Sequence, residues 1–171
     1  MSPGQAKYRF RVSLGLFLAG LVASGLTAFP LLPELDFAIR TFSWDPAAAA
    51  QPGLAGWLLA VREGLEQSYR RHPWLAYGTD WLAFGHLAIA LFFIEPWLRP
   101  DASRGVLRAG VAACVLVVPT ALICGAARSI PFYWRLLDCS FGIVGLIPLT
   151  YCLRLVPHLL ACDRSKPTEA A

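Results

Sequence analysis

The chain has 171 residues, of which 57% are hydrophobic and only 15% are charged. Soluble domains usually carry about 25% charged residues, and a soluble fold of this size could not bury so much apolar surface, so this class is excluded. The net charge of +4 gives no indication of nucleic-acid binding, because the basic residues form short clusters between apolar runs, as in membrane proteins. We expect one membrane domain covering residues 1–171.

Four apolar runs are predicted to cross the membrane. Each is close to the roughly 20 residues that a spanning helix needs, and a lone span must satisfy its backbone internally. The runs cover residues 12–32, 81–98, 106–126 and 136–156. The predicted fold class is therefore all-α, a polytopic four-transmembrane-helix bundle. A cleaved signal peptide is the alternative for the first run, although that run is longer than a usual signal sequence.

The distribution of basic residues predicts the orientation. Nine Lys and Arg residues lie in short segments on one side, whereas the six on the other side fall mostly in a long loop. The positive-inside rule then places both termini in the cytoplasm and the loop 33–79 outside. Thirteen of the fifteen basic residues are Arg, which with abundant Ala and Leu is associated with bacterial genomes. We expect a multi-pass protein of the bacterial inner membrane.

The outer loop contains two helical patterns. Residues 33–42 form a short one, and apolar residues from Leu54 to Tyr69 recur at helical spacing opposite a charged face. This pattern predicts an amphipathic helix that lies on the membrane or caps the bundle. A mobile lid and a helix that docks a partner are the alternatives.

Ionisable residues inside the second run mark a candidate polar site. Asp80 lies at its start, His86 inside it and Glu95 near its end. Such groups are costly within a spanning helix, so their presence is a functional hypothesis by default. Asp80 and His86 differ by about 120° around the helix axis and do not share one face. Glu95 is expected to pair with Arg99 or Arg108 or, alternatively, to belong to a proton path.

The start of the fourth run supplies the other half of the predicted site. Pro131 suits a first helical turn, and Arg135 and Asp138 then lie three residues apart on one face. In the structural interpretation, Asp138 pairs with Arg135 and Asp80 with Arg128, while His86 bonds to a neighbouring helix. In the functional interpretation, the ligand-binding residues Arg128 and Arg135 hold an anion such as a lipid phosphate, and His86 or a carboxylate transfers protons.

No cofactor or metal is expected. The five cysteines contain no CxxC pair, and only one of the three histidines, His86, lies inside a predicted span. Four of the cysteines lie in apolar runs, where Cys behaves as a small hydrophobe. A disulfide between Cys124 and Cys139, near one membrane face, is the alternative.

Two motifs carry a resemblance to known families. The segments YGTDWLAFGH (residues 77–86) and IPFYWRLLDCSFG (residues 130–142) resemble a family of small bacterial inner-membrane proteins, which implies four helices and no specific activity. A fainter similarity relates the chain to VanZ-like membrane proteins, in which an Asp and a His precede one apolar helix and an Asp opens a later one. This chain departs from that pattern in the wide Asp80–His86 spacing and in lacking an Asn after Asp138.

These observations predict an accessory subunit or lipid-binding component with an outward-facing polar cluster. Its expected partners are membrane lipids and a membrane-protein complex. The alternative is a small membrane enzyme that acts on a lipid or a lipid-linked anion, with Asp80, His86 and Asp138 as catalytic candidates. A transporter is less well supported, because four short spans show no internal repeat.

Overall fold

The computed structural model describes residues 2–45, 53–100 and 103–164, and these ranges contain helices and no strand. The elements are α1 (Pro3–Ala28), α2 (Leu31–Thr41), α3 (Leu54–Arg71), a 3₁₀ turn (Pro73–Leu75), α4 (Ala76–Leu98), α5 (Arg104–Ala127) and α6 (Phe132–Arg164). Four helical stretches are long and apolar enough to cross a membrane: Gly4–Ala28, Pro73–Leu98, Arg104–Ala127 and Phe132–Ala161. The prediction of an all-α chain with four such helices is confirmed.

The first helix differs most from its predicted range of 12–32. It begins nine residues earlier, because Ser2 and Gln5 form a capping box: the Gln5 N–H donates to Ser2 Oγ at 3.3 Å, and the Ser2 N–H donates to the Gln5 side chain at 3.4 Å. It ends at Ala28 because Pro30 disfavours helical geometry at the residue before it. The last residues of the predicted run instead open α2.

The other helices follow the predictions more closely. Helices α2 and α3 occupy the two helical patterns of the outer loop. Helix α6 starts directly after Pro131, as expected, and is longer at both ends than the range 136–156. Helix α4 begins five residues before the predicted start, because the polar residues ahead of Trp81 continue its first turns.

The chain divides into two compact units. Unit 1 comprises Met1–Gly20 and Ala90–Ala171, and unit 2 comprises Leu21–Ile89. Unit 1 thus contains most of α1, the end of α4, and all of α5 and α6. Unit 2 contains the end of α1, the α2–α3 hairpin and the start of α4.

Glycines allow the closest helix packing in unit 1. A Cβ added at Gly142 on α6 would lie 2.5 Å from the carbonyl oxygen of Cys114 on α5, so the two backbones meet there. One turn further, a Cβ at Gly145 would lie 2.9 Å from the Cys114 sulfur. On α5, a Cβ at Gly110 would lie 2.7 Å from Phe93. Small residues let membrane helices approach in this way.

Helix α1 joins unit 1 through one buried stripe and several polar contacts. Ala6, Phe10 and Leu14 recur every four residues and are at most 2% exposed. Ser13 donates from its Oγ to the Pro148 carbonyl on α6 at 3.3 Å. The Cys152 thiol of α6 donates in return to the Phe10 carbonyl at 3.6 Å. These bonds between helices fix the register of α1 against α6.

Unit 2 is held by contacts between consecutive elements. An ion pair of 2.8 Å joins Arg62 on α3 to Asp36 on α2. The Tyr69 hydroxyl of α3 lies 3.4 Å from Thr79 Oγ1 on α4. A Cβ at Gly25 near the end of α1 would lie 3.0 Å from the carbonyl oxygen of Ala83 on α4. The hairpin thus contacts α4 through Tyr69, and the end of α1 packs closely against α4.

Because Gly142 lies against the Cys114 carbonyl, one added methyl group at position 142 is expected to lower the stability of the protein. We expect Gly142→Ala to lower stability by about 1–3 kcal/mol, because backbone atoms of α5 cannot move aside as a side chain can. Thermal unfolding of the detergent-purified protein measures this loss. Gly85→Ala is the control, because a Cβ at Gly85 meets nothing within 4 Å. Equal melting temperatures for the two variants would contradict close packing at Gly142.

Candidate functional site

The two predicted ligand-binding residues, Arg128 and Arg135, lie on either side of the turn between α5 and α6. Helix α5 ends in a Schellman motif, in which Ile130 N–H donates to the Gly125 carbonyl at 2.9 Å and Ser129 N–H donates to the Ala126 carbonyl at 3.1 Å. Ser129 takes the left-handed position with φ of 57°. Arg128 precedes it and is exposed. The motif holds the Arg128 backbone at the end of α5 and leaves its side chain in the open.

Arg135 lies in the first turns of α6 and packs on the end of α5. Its side chain lies over Gly125, where an added Cβ would be 2.5 Å from the Arg135 Cγ and Cδ atoms. The guanidinium donates one bond of 3.4 Å to the Leu122 carbonyl and lies 5.3 Å from the centre of the Phe132 ring. Its Nε is buried and has no hydrogen-bond partner. Arg135 is therefore held in place without an anionic partner among the described residues of unit 1.

The expected ion pair between Arg135 and Asp138 is absent. No salt bridge within 4.0 Å involves Asp138 in the part of the chain that the structure describes, and its side chain is half-buried. The spacing allowed the pair, but Arg135 turns towards the carbonyl of Leu122 on α5 instead. The pairing of Asp80 with Arg128 joins residues of different units and stays a prediction.

Asp80 and His86 lie on the part of α4 that belongs to unit 2. Both side chains are half-buried. The His86 Nδ1 lies 2.9 Å from the Leu82 carbonyl oxygen of its own helix, which corrects the expectation of a bond to a neighbouring helix. Because a carbonyl can only accept, Nδ1 carries the proton and Nε2 of a neutral ring keeps its lone pair. Within unit 2, no described residue forms an ion pair with Asp80.

Two further expectations have clear outcomes. Glu95 pairs with Arg99 at 3.6 Å, as expected, and both side chains are more than half exposed, so the pair contributes about 0–1 kcal/mol. The alternative of a Cys124–Cys139 disulfide is not borne out, since both cysteines are free, as the interpretation of cysteines in apolar runs as small hydrophobes expects. The Cys139 thiol points to the Val118 carbonyl at 3.8 Å, about 9 Å along α5 from Cys124.

A charged pocket between α2 and α3 was not predicted. It is open to solvent, has a volume of about 740 Å³, and is lined only by residues of unit 2. Three carboxylates and three guanidinium groups line it: Asp36, Glu63, Glu66, Arg40, Arg62 and Arg70. The sequence shows a charged face on α2 and another on α3, each with charges four residues apart. It does not show that these two faces meet.

Arg62 is the centre of this pocket. It donates to Asp36 on α2 and to Glu66 on its own helix, and Arg70 also donates to Glu66, at 2.6 Å. The hydrogen bond with Asp36 raises the pKa of Arg62 above its ordinary value, against the opposing effect of burial. The raised pKa of Arg62 stabilises the folded state at any pH below the pKa that Arg62 has in the unfolded chain. This stabilisation is lost only as pH rises through the pKa of Arg62 in the folded protein. Arg62 therefore stays charged until strongly alkaline pH.

Metal ligands do not cluster in the described ranges. There, no group of three or more His, Cys, Asp or Glu side chains is arranged to hold a metal ion. Arginine side chains can bind anions, and the side chains of His86, Asp80 and Asp138 are of types that can transfer protons.

The Arg62 network predicts how firmly α2 is held. We expect Arg62→Gln to speed amide hydrogen exchange in α2 about fivefold, equivalent to about 1 kcal/mol, because the two ion pairs made by Arg62 are lost together. Hydrogen-exchange mass spectrometry of residues 31–41 measures this. Arg71→Gln is the control, because Arg71 is exposed and lies outside the pocket. Unchanged exchange in Arg62→Gln would mean that apolar contacts alone hold α2.

Comparisons with known proteins return nothing that identifies the chain: no family model, no curated protein and no solved structure matches it. The resemblance to small bacterial inner-membrane proteins, and the fainter one to VanZ-like proteins, thus stay predictions.

Proposed function

We propose that this protein is an accessory subunit or lipid-binding component of the bacterial inner membrane, with both termini in the cytoplasm. It binds an anionic lipid headgroup at the turn between α5 and α6. The four apolar helices and the distribution of basic residues support the membrane location.

The position of Arg135 is the observation that carries the lipid-binding proposal. A charge within a span costs up to about 3.5 kcal/mol at the membrane centre and less near the ends, unless a partner offsets it. Asp138 does not supply this partner, and Nε of Arg135 lacks any bond. The N-terminus of α6 adds the positive end of a helix dipole, which favours an anion there. A lipid phosphate meets all these requirements.

Arg128 supplies a second cation at the same turn. Its exposed side chain starts seven residues before Arg135, on the end of α5. Arginine is well suited to this task, because its planar donors match phosphate oxygens in pairs. Arg135 then positions the headgroup near the helix ends, and Arg128 approaches from the aqueous side.

Native mass spectrometry of the detergent-purified protein tests this proposal. We expect a bound phospholipid in the wild type and about ten- to hundredfold weaker binding in Arg135→Gln, because a charged hydrogen bond contributes about 1.5–3 kcal/mol. Arg154→Gln, an exposed arginine late in α6, is the control. Equal lipid binding in both variants would refute the site. A second protein chain in the wild-type spectrum would support the accessory role.

A small membrane enzyme is the second candidate, and the His86 bond favours it. Because Nδ1 donates to the Leu82 carbonyl, Nε2 of a neutral ring is available to accept a proton. An enzyme of this kind would use His86 with Asp80 or Asp138 to move protons on a lipid or a lipid-linked anion.

For the enzyme, we expect Asp138→Asn to keep the fold and to abolish turnover. The wild type and the variant are incubated with a total lipid extract, and lipid mass spectrometry compares the products. His86→Gln is expected to lose the same activity. The absence of any lipid change with the wild type, or the unfolding of Asp138→Asn, would count against catalysis and favour a structural role for Asp138.

A further inference from the structure

The pocket between α2 and α3 is tied to the ends of two apolar helices. Only Phe29 and Pro30 separate α1 from α2, and two residues reach at most about 7 Å. On the other side, His72 and the 3₁₀ turn Pro73–Leu75 join α3 to α4. In a chain whose α1 and α4 cross the membrane, the hairpin and its pocket lie at the membrane surface, where phospholipid headgroups are concentrated.

The inner charges of the pocket already satisfy one another. Arg62 donates to Asp36 and Glu66, and Glu66 also accepts from Arg70. The side chains of Arg62 and Glu66 are about one-third exposed or less. Asp36 is 36% exposed, and Arg70 is 78% exposed. The Asp36–Arg62–Glu66 group therefore acts as a structural clamp between the helices and offers little to a ligand.

Two guanidinium groups of the pocket keep free donors. Arg40 uses its Nε on the Asp36 backbone carbonyl at 3.1 Å, and its terminal nitrogens have no partner among the described residues of unit 2. Arg70 uses one terminal nitrogen on Glu66 and is otherwise open. The remaining carboxylate, Glu63, accepts from the Gln67 amide at 3.1 Å. The three arginines and three carboxylates of the pocket balance in formal charge, so an anion would be held by the free donors of Arg40 and Arg70 and not by a net positive field.

The rest of the pocket fits the carbon part of an amphiphile. Ile39 and Leu59 also line it, and Leu59 is only 7% exposed. The volume of about 740 Å³ is in the range of small-molecule sites, about 300–1,000 Å³. Phosphate is the anion that matches guanidinium donors best, through paired charged hydrogen bonds.

We propose that the α2–α3 pocket binds a phosphate ester, held by Arg40 and Arg70, with its carbon part against Ile39 and Leu59. A phospholipid headgroup and a free phosphate ester share this chemistry. The site has no residue in common with the α5–α6 turn, so it does not depend on the function proposed for that turn.

Titration followed by native mass spectrometry tests the pocket with three probes. They are short-chain phosphatidylglycerol, glycerol 3-phosphate and short-chain diacylglycerol, which lacks phosphate. We expect phosphatidylglycerol to bind the wild type, and the double variant Arg40→Gln/Arg70→Gln to bind it at least about tenfold more weakly, since tenfold corresponds to 1.4 kcal/mol. Arg71→Gln is the matched control and should bind as the wild type does. Hydrogen exchange of α2 confirms that each variant is folded.

Each outcome decides the proposal or the source of the phosphate. Equal phosphatidylglycerol binding in the double variant and the wild type, or equal binding of diacylglycerol and phosphatidylglycerol, would overturn it. Competition by glycerol 3-phosphate identifies a free phosphate ester as sufficient, whereas binding of phosphatidylglycerol alone identifies a lipid. If the double variant unfolds, the single variants Arg40→Gln and Arg70→Gln serve instead, each with weaker binding expected.

The same titration with Arg135→Gln separates this site from the α5–α6 turn. If phosphatidylglycerol binding is lost in Arg135→Gln but kept in the double variant, the proposed pocket site is refuted and the proposed site at the α5–α6 turn is supported. Binding lost in the double variant but kept in Arg135→Gln supports the pocket and leaves the turn without its ligand. Partial loss in both indicates two sites.

Discussion

Backbone contact between α5 and α6 is the constraint on which unit 1 depends. Apolar side chains give little net attraction between helices in lipid, so if α5 and α6 cross a membrane, close packing through small residues is what holds them together. Gly142 brings the α6 backbone against the Cys114 carbonyl, and Gly125, nearer the turn, leaves room for the Arg135 side chain. Close packing at glycine thus holds α5 against α6 and also places the Arg135 guanidinium at the end of this helix pair. A larger residue at Gly125 would push Arg135 away from the Leu122 carbonyl.

Within unit 2, the α2–α3 hairpin is held together by a different force. The α2–α3 hairpin uses charges rather than close backbones, with Arg62 as the bridge between the two helices. Ion pairs of this kind weaken with salt, whereas glycine packing does not. We therefore expect the hairpin to loosen at high ionic strength while α5 and α6 stay packed. The hairpin cannot leave the ends of α1 and α4 even then, because its connections to them are short.

Much of the fold could be predicted from the sequence, because hydrophobic runs and helical periodicity are local signals. The early start of α1 was also readable in the Ser2–Gln5 capping box, and its end in the position of Pro30. The site was less predictable. Spacing showed that Arg135 and Asp138 share a face of α6, but not that Arg135 prefers a carbonyl of α5. Which polar faces meet, as in the α2–α3 pocket, depends on tertiary packing that a single sequence does not encode locally.

The short connection between α1 and α2 has a consequence for binding strength. In a chain whose α1 crosses the membrane, this connection would restrict the pocket to a thin layer in which headgroups have a very high effective concentration, and the search for a ligand would be nearly two-dimensional. A site of only millimolar affinity, about −4 kcal/mol, would be almost always filled there. Selection on such a site would act on the discrimination between headgroups rather than on affinity. The modest number of free donors in the pocket would therefore be sufficient for the lipid recognition proposed above.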